Sequence, residues 1–405
     1  MRVLNVKGYT FLVCLYLMLF SFHVNAQANV DSSFKPSGKL WGYTFGDYYY
    51  KAHSDALNRG GANQYTGVEQ GRNAFQLRRA YLGYNYDIHP KFAAELLLAA
   101  EDNLGTSAGV LSGDLTTSNK LTFYIKYANL RWKNIWKGTD LVVGQAATPA
   151  FSLVEEPICG YRSIERTITD IRRMPSYDLG VSLQGKFDPK DGNYGYNLMI
   201  ANGSSARPET NKFKHFYGDL YGKFFDKKLV VTLFADYERL NWAPGFHHSR
   251  NMLKGFVAYT TPNFTVGVEA FENFSHQDVV GMHKQDTLMM SDTLNANSTG
   301  ISMFVRGAIV PNKLGYFARY DRYNPDTKYD DAYYQAYKGL SATYEPNNKE
   351  AFITAGLDYT PIKNVHLMPN IWYNRYASER SGATGKEAHD YDLVYRVTFY
   401  YVFGR

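Results

Sequence analysis

Asp178-Leu179-Gly180-Val181-Ser182-Leu183-Gln184-Gly185-Lys186-Phe187, followed at once by Asp188-Pro189-Lys190-Asp191-Gly192-Asn193, decides how the rest of the chain is read. Leu179, Val181, Leu183 and Phe187 alternate with Asp178, Gly180, Ser182, Gln184 and Lys186, the period of two of a strand with one apolar face. The six residues that follow combine Asp, Pro, Gly and Asn, which supply the backbone angles of a tight reversal. The unit is therefore a half-apolar strand ending in a short turn.

The same unit recurs along the chain. Residues 229–237 set Leu229, Val231, Leu233, Ala235 and Tyr237 against Thr232 and Asp236, with Val230 and Phe234 breaking the pattern. The last segment sets Leu393, Tyr395, Val397, Phe399, Tyr401 and Phe403 against Asp392, Arg396 and Thr398. A soluble sandwich shares this period, so alternation alone does not place the chain in a membrane.

Connection lengths do. Sixteen strands are read, near 39–50, 74–87, 91–101, 121–132, 139–147, 177–187, 194–202, 214–225, 229–240, 251–260, 264–275, 300–310, 314–324, 350–360, 364–376 and 391–403. Short turns at 87–90, 188–193, 226–228, 261–263, 311–313 and 361–363 alternate with long polar stretches at 51–73, 102–120, 148–176, 203–213, 241–250, 276–299, 325–349 and 377–390. An all-β, transmembrane antiparallel barrel of the outer-membrane type has this rhythm, with short turns and both termini on the periplasmic side. A barrel of this strand number is wide enough for an aqueous channel.

Composition agrees. Aromatic residues make up 16% of the chain, 35 of them Tyr, yet the mean hydropathy is −0.39. Leu96 to Ala100 is the longest aliphatic run, far shorter than the roughly 20 residues of a spanning helix. Strands that are apolar outside and polar inside, with aromatic girdles, reconcile these values.

The N-terminus carries Arg2 and Lys7, an apolar run from Phe11 to Phe22, and Val24-Asn25-Ala26. This is the order of a secretory signal peptide, residues 1–26, cleaved after Ala26, which leaves residues 27–405 as the barrel domain. Its removal takes away Arg2 and Lys7, so 44 basic residues fall to 42 against 38 acidic ones, a net charge of +4. A charge this small gives no reason to expect a nucleic-acid partner. Cys14 leaves with the signal, and the single remaining thiol, Cys159, has no internal disulfide partner.

Several segments in order resemble the phosphate-selective porin O and P family, particularly its Bacteroidetes-type members. They are Phe75-Gln76-Leu77-Arg78-Arg79-Ala80-Tyr81-Leu82-Gly83-Tyr84, Leu141-Val142-Val143-Gly144-Gln145 with Thr148-Pro149, Ser152-Leu153-Val154-Glu155-Glu156, Ile164-Glu165-Arg166, Tyr177-Asp178-Leu179-Gly180-Val181 and Ala201-Asn202-Gly203. The resemblance covers the N-terminal half; in the C-terminal half only strand rhythm supports it. It implies a water-filled homotrimeric barrel in the outer membrane of a Gram-negative bacterium, in contact with lipid, whose third external loop, 148–176, folds inward. Resemblance to outer-membrane proteins in general also implies a terminal aromatic, here Phe403, read by the barrel insertion machinery.

The resemblance also implies basic residues at the constriction. Arg78 and Arg79 match its motif. Consecutive strand residues point to opposite faces, so both face the lumen only if a bulge turns one of them. The inward loop offers Arg162, Arg166, Arg172 and Arg173 against Glu155, Glu156, Glu165 and Asp170, a formal charge of zero. Guanidinium groups suit phosphate or carboxylate solutes, but the same charges can hold the loop against the wall. Strand parity adds Lys126, Arg306 and Arg396 as lumen candidates.

The functional expectation is a passive diffusion channel for small hydrophilic solutes, with an anion or phosphate preference. A second reading is a surface interaction or structural protein with a closed lumen, binding through 276–299 and 325–349. A third, an outer-membrane hydrolase, finds little support: His247, His248, His276 and His283 fall in expected loops without metal-ligand spacing, and no nucleophile-elbow or phosphate-cradling motif occurs. No catalytic, metal or cofactor site is read, no cofactor is expected, and the chain is not expected to be an enzyme.

Overall fold

The computed structural model describes residues 34–60, 65–101, 116–117, 120–121, 123–164, 167–240, 248–285, 288–330 and 348–404. The chain divides after Pro36, and the second unit, Ser37–Arg405, is compact. The signal segment and its cleavage point lie outside the described residues.

The second unit is a closed antiparallel barrel of sixteen strands. They are β1 (Ser37–His53), β2 (Asn73–His89), β3 (Phe92–Glu101), β4 (Tyr124–Trp136), β5 (Thr139–Ala147) and β6 (Tyr177–Lys186). Next come β7 (Tyr194–Ala201), β8 (His215–Phe224), β9 (Leu229–Leu240), β10 (His248–Thr260), β11 (Phe264–Gln285) and β12 (Leu288–Val310). The last four are β13 (Leu314–Asn324), β14 (Asn348–Ile362), β15 (Val365–Ser378) and β16 (His389–Phe403). Each strand pairs with its neighbour in sequence, and β1 closes on β16 from Gly42 opposite Phe403 to Lys51 opposite Val394. Closure leaves the sheet without an edge, as a lipid environment demands of any spanning backbone.

The period-two pattern sorts the side chains. On β1, Trp41, Tyr43, Phe45, Asp47, Tyr49 and Lys51 are buried inside, while Leu40, Tyr48 and Tyr50 are exposed outside. The outer face runs through Leu82, Leu96, Leu130, Val143, Val181, Leu198, Leu220 and Leu233. Trp132, Trp136, Phe187, Phe224, Tyr259 and Phe403 sit on it beside the short turns, and Tyr48, Tyr50, Phe75, Tyr237 and Tyr395 toward the opposite rim. This is an aliphatic belt between two aromatic girdles.

The turns follow residue chemistry. Asn312 and Asn364 take left-handed backbone, φ 59 and 68, in the turns after β12 and β14, a region Asn tolerates better than most residues. At the closing seam, a Cβ on Gly42 or Gly46 would stand 2.3 or 2.5 Å from the ring of Phe403 or Phe399. Only glycine lets these rings of β16 lie over β1.

One expected loop is corrected. Residues 276–299 continue as strand: Val279 pairs with Leu294 and the ladder runs to Gln285 opposite Leu288. The last rungs with the flanking strands are Ser249 opposite His276 and Thr299 opposite Asn324, so the ribbon stands past its neighbours. A ribbon beyond the lipid is paired through its backbone and needs no lipid-facing alternation, the signal used to draw the strands. His248 and His276 accordingly lie in strands, not loops. His247, most of the 102–120 stretch and most of 325–349 lie outside the described residues.

Candidate pore constriction

The segment 148–176 is built to fold inward. It carries two single-turn helices, α1 (Glu155–Cys159) and α2 (Ile168–Arg172). Gly160, at φ 76, ends α1 in left-handed backbone, and the Thr167 side chain caps α2 by accepting from the Asp170 backbone N–H at 3.1 Å. Ala150, Phe151, Ile168 and Met174 pack with Met199, Ala201, Tyr217, Phe234, Met252 and Phe271 of β7–β11. Phe234 broke the strand pattern because its inward face is covered by this segment. Farther along, Ile158 and Cys159 pack against Phe256, Ala258 and Phe304, and Tyr161 and Ile164 against Phe317 and Met368.

Hydrogen bonds and ion pairs fix the same contact. Glu155 Oε1 accepts from Lys254 Nζ and, at 2.8 Å, from the Thr232 hydroxyl. Burial pushes the Glu155 carboxyl up to about 8, with neighbouring Glu269 acting in the same direction and Lys254 opposing it. Glu269 accepts from the Thr169 backbone N–H at 3.0 Å and from its hydroxyl. Arg172 pairs with Glu350, and Arg173 reaches both oxygens of Asp236 at 2.9 Å. His215 Nε2 lies 2.6 Å from the same carboxylate. These loop charges pair with the wall; Arg162 and Glu156, 3.3 Å apart, pair within the loop. Arg166 and Glu165 lie outside the described residues.

A second connection also enters the lumen, and the sequence reading did not assign it. Tyr65 and Val68, from the stretch after β1, are buried with Tyr49, Phe352, Trp372 and Val394. The Tyr65 hydroxyl donates to Asp47 at 3.2 Å, and Lys51 Nζ donates to the Tyr65 carbonyl at 2.8 Å and to Asp392 at 2.6 Å. The available signal was an aromatic and an aliphatic residue inside an otherwise polar stretch.

Both motif arginines face inward. Phe45 pairs with Arg79 and Gly46 with Leu77, so Arg78 is the extra residue of a bulge. The bulge places the two in different surroundings. Arg78, 1% exposed, pairs with Asp47 at 3.2 Å beneath Tyr65; Arg396 also approaches Asp47, at 3.7 Å, and donates to the Ser163 carbonyl at 2.6 Å. Arg79 shares Glu101 with Lys126, whose Nζ lies 2.8 Å from that carboxylate. Arg306 donates to the Ile158 carbonyl at 3.1 Å.

Between the inward segment and the β2–β4 wall a cleft of about 690 Å³ stays open. Arg79, Tyr81, Glu101 and Lys126 line it from the wall, and Glu156, Arg162 and Asp170 from the segment. Lys126 lies over the rings of Tyr81 and Tyr177 at 4.9 and 5.3 Å, and Arg162 over Tyr43 at 5.1 Å. Three cations face three carboxylates, but on the strand wall two cations share a single carboxylate. Arg79, Lys126 and Arg162 thus meet at the cleft, whereas Arg172 and Arg173 point into the segment's anchoring contacts and Arg78 lies under the first connection. Among the described residues no cluster of His, Cys, Asp and Glu is arranged to hold a metal ion.

No protein-family model and no curated protein matches the chain. Solved structures do. The outer-membrane channel DcaP of Acinetobacter baumannii is 12% identical at a TM-score of 0.64, the match covering 92% of this chain and 99% of that one. The anion-selective porin from Comamonas acidovorans is 12% identical at 0.56, covering 91% and 100%. In vitro-folded OmpT of Vibrio cholerae, in its trimer form, is 12% identical at 0.54, also covering 91% and 100%. At such identity the likeness shows the fold: a sixteen-stranded barrel of the outer-membrane porin type.

Proposed function

We propose that the mature chain is a passive diffusion channel of a Gram-negative outer membrane, admitting small hydrophilic solutes with a modest preference for anions. One observation carries the anion preference: on the wall of the remaining cleft, Arg79 and Lys126 share the single carboxylate of Glu101. A local excess of positive charge in a narrow passage with low-dielectric walls selects by sign. The sequence resemblance to the phosphate-selective porins supports the same direction, and so does the likeness to the anion-selective porin from Comamonas acidovorans. The near balance of charge around the cleft as a whole argues against a dedicated phosphate site.

Export through residues 1–26, insertion by the barrel machinery with Phe403 as its aromatic signal, and assembly as a homotrimer complete the proposal. The trimer form of the OmpT neighbour supports the last point. Planar-bilayer recording tests the channel: stepwise conductance and a reversal potential favouring chloride over potassium are expected, with phosphate permeating no better than chloride. Absence of conductance steps from the purified, folded protein refutes it.

One observation favours the second reading, a surface interaction protein: the β11–β12 ribbon stands past the flanking strands. Shortening that ribbon leaves conductance unchanged in a channel, whereas it abolishes surface adhesion in an interaction protein.

A further inference from the structure

At the end of the lumen that carries the short turns lies a recess of about 230 Å³. The turns after β10 and β12, Asp358 and Thr360 of β14, and Tyr161 of the inward segment wall it. Its volume is many times the roughly 10–15 Å³ that seats one water. Glycine hollows it out: Gly307 and Gly315 lie on its wall, and a Cβ on Gly315 would stand 2.6 Å from the Tyr161 hydroxyl. Gly160, on the segment, likewise makes way for Arg306, since a Cβ there would stand 3.1 Å from the guanidinium carbon.

The groups around the recess define its occupant. Arg306 and Lys313 are its cations and Asp358 is its single carboxylate. His366 Nδ1 lies 2.9 and 3.1 Å from the two oxygens of Asp358, so that carboxylate already has its partner. Arg306 uses its Nε on the Ile158 carbonyl at 3.1 Å, and among the described residues its two Nη groups meet no carboxylate. The open end of the fork suits an incoming one. Hydroxyls supply much of the remaining lining, and those of Tyr161, Thr260 and Thr265 enter no hydrogen bond among the described residues. The Tyr161 ring is packed on Phe317, with centroids 4.8 Å apart, and beneath Arg306 at 5.8 Å, while Phe264 belongs to the outer face. An aromatic solute therefore finds little stacking platform. A simple anion would satisfy the cations and leave the hydroxyls to water, and a neutral sugar would do the opposite. A polyhydroxy carboxylate matches both sets at once.

We infer that this recess is a binding subsite for sugar acids of the hexuronate kind, the carboxylate on Arg306 and Lys313 and the hydroxyls on Thr260, Thr265 and Tyr161. It is separate from the Arg79–Lys126 cleft, with which it shares no lining residue. The inference rests on the wet lumen of the proposed channel, but binding is measured without conduction.

Saturation-transfer NMR of D-glucuronate titrated against the detergent-solubilised protein tests it. Saturable binding is expected, tighter by about tenfold or more than that of acetate, benzoate or glucose. Arg306→Gln should weaken it about tenfold or more. Lys313→Gln, on an exposed turn, should weaken it about twofold to fivefold, with the β-sheet circular dichroism preserved in both. Thr265→Val should weaken glucuronate binding while leaving that of acetate unchanged. Absence of saturable binding overturns the subsite. Equal binding of acetate or benzoate overturns the role of the hydroxyls, and equal binding of glucose overturns that of the carboxylate. Affinity that survives Arg306→Gln and Lys313→Gln but falls in Arg79→Ala moves the solute to the cleft and refutes the inference. A channel that conducts without binding glucuronate leaves the diffusion reading standing and this inference refuted, whereas binding without conduction does the reverse.

Discussion

The two sides of the lumen hold the same kinds of residue and use them differently. Along β2–β4 the ion pairs stay within the wall, with Arg79 and Lys126 on Glu101, and the groups face an open cleft. Along β7–β14 the polar contacts cross from wall to inward segment, through Lys254, Asp236 and Glu350, and apolar side chains fill the space between them. The difference teaches that a buried arginine in a barrel does not announce a solute site. What decides its role is whether a chain segment is docked over it.

Breaking the anchored side has the largest expected effect. Arg173→Ala leaves the buried Asp236 carboxylate to His215 and the Met252 backbone N–H alone, a loss of up to about 3–5 kcal/mol for a buried pair. Single-channel conductance should rise and become noisier as the segment loosens; unchanged conductance would mean the segment is held without this pair. Ile168→Ala removes apolar packing from the same contact, at about 3 kcal/mol, and should move conductance the same way by less. The open side is sharpened by separating the adjacent arginines. Arg79→Ala, or Lys126→Ala, should lower the chloride-to-potassium permeability ratio about twofold to fivefold, since lumen substitutions tune selectivity. Arg78→Ala, shielded under Tyr65, should leave that ratio unchanged while lowering thermal stability, and equal ratio shifts at the two positions would erase the distinction.

The smallest effect is one of pH. The Glu155 carboxyl is raised in the folded protein to about 8, so the protonated form favours docking. That contribution is complete below the ordinary carboxylate range and declines as pH rises, being lost through pH 8. Conductance noise should therefore increase between pH 6 and pH 9, and Glu155→Gln should flatten the dependence.

Much of the fold was legible because its signals are local. Alternation fixed the strands, and residues such as Pro262 and Asn312 fixed the turns. The Arg78–Arg79 pair was legible as a question, since strand parity admits both to the lumen only through a bulge. Partners across the lumen were not legible. Arg172 and Glu350 are 178 positions apart, and no spacing rule links a loop residue to one strand among sixteen. The entry of Tyr65 was hidden for the same reason: its neighbours Trp372 and Arg396 arrive from the far end of the chain.

Arg396 stands between the two segments that enter the lumen. Its guanidinium reaches the Tyr65 hydroxyl of one at 3.5 Å and the Ser163 carbonyl of the other at 2.6 Å. Neither connection can therefore be redesigned alone. A graft that swaps the first for a foreign sequence will disturb the seating of the second, and engineering of this aperture has to treat both as a single part hinged on one side chain of the closing strand.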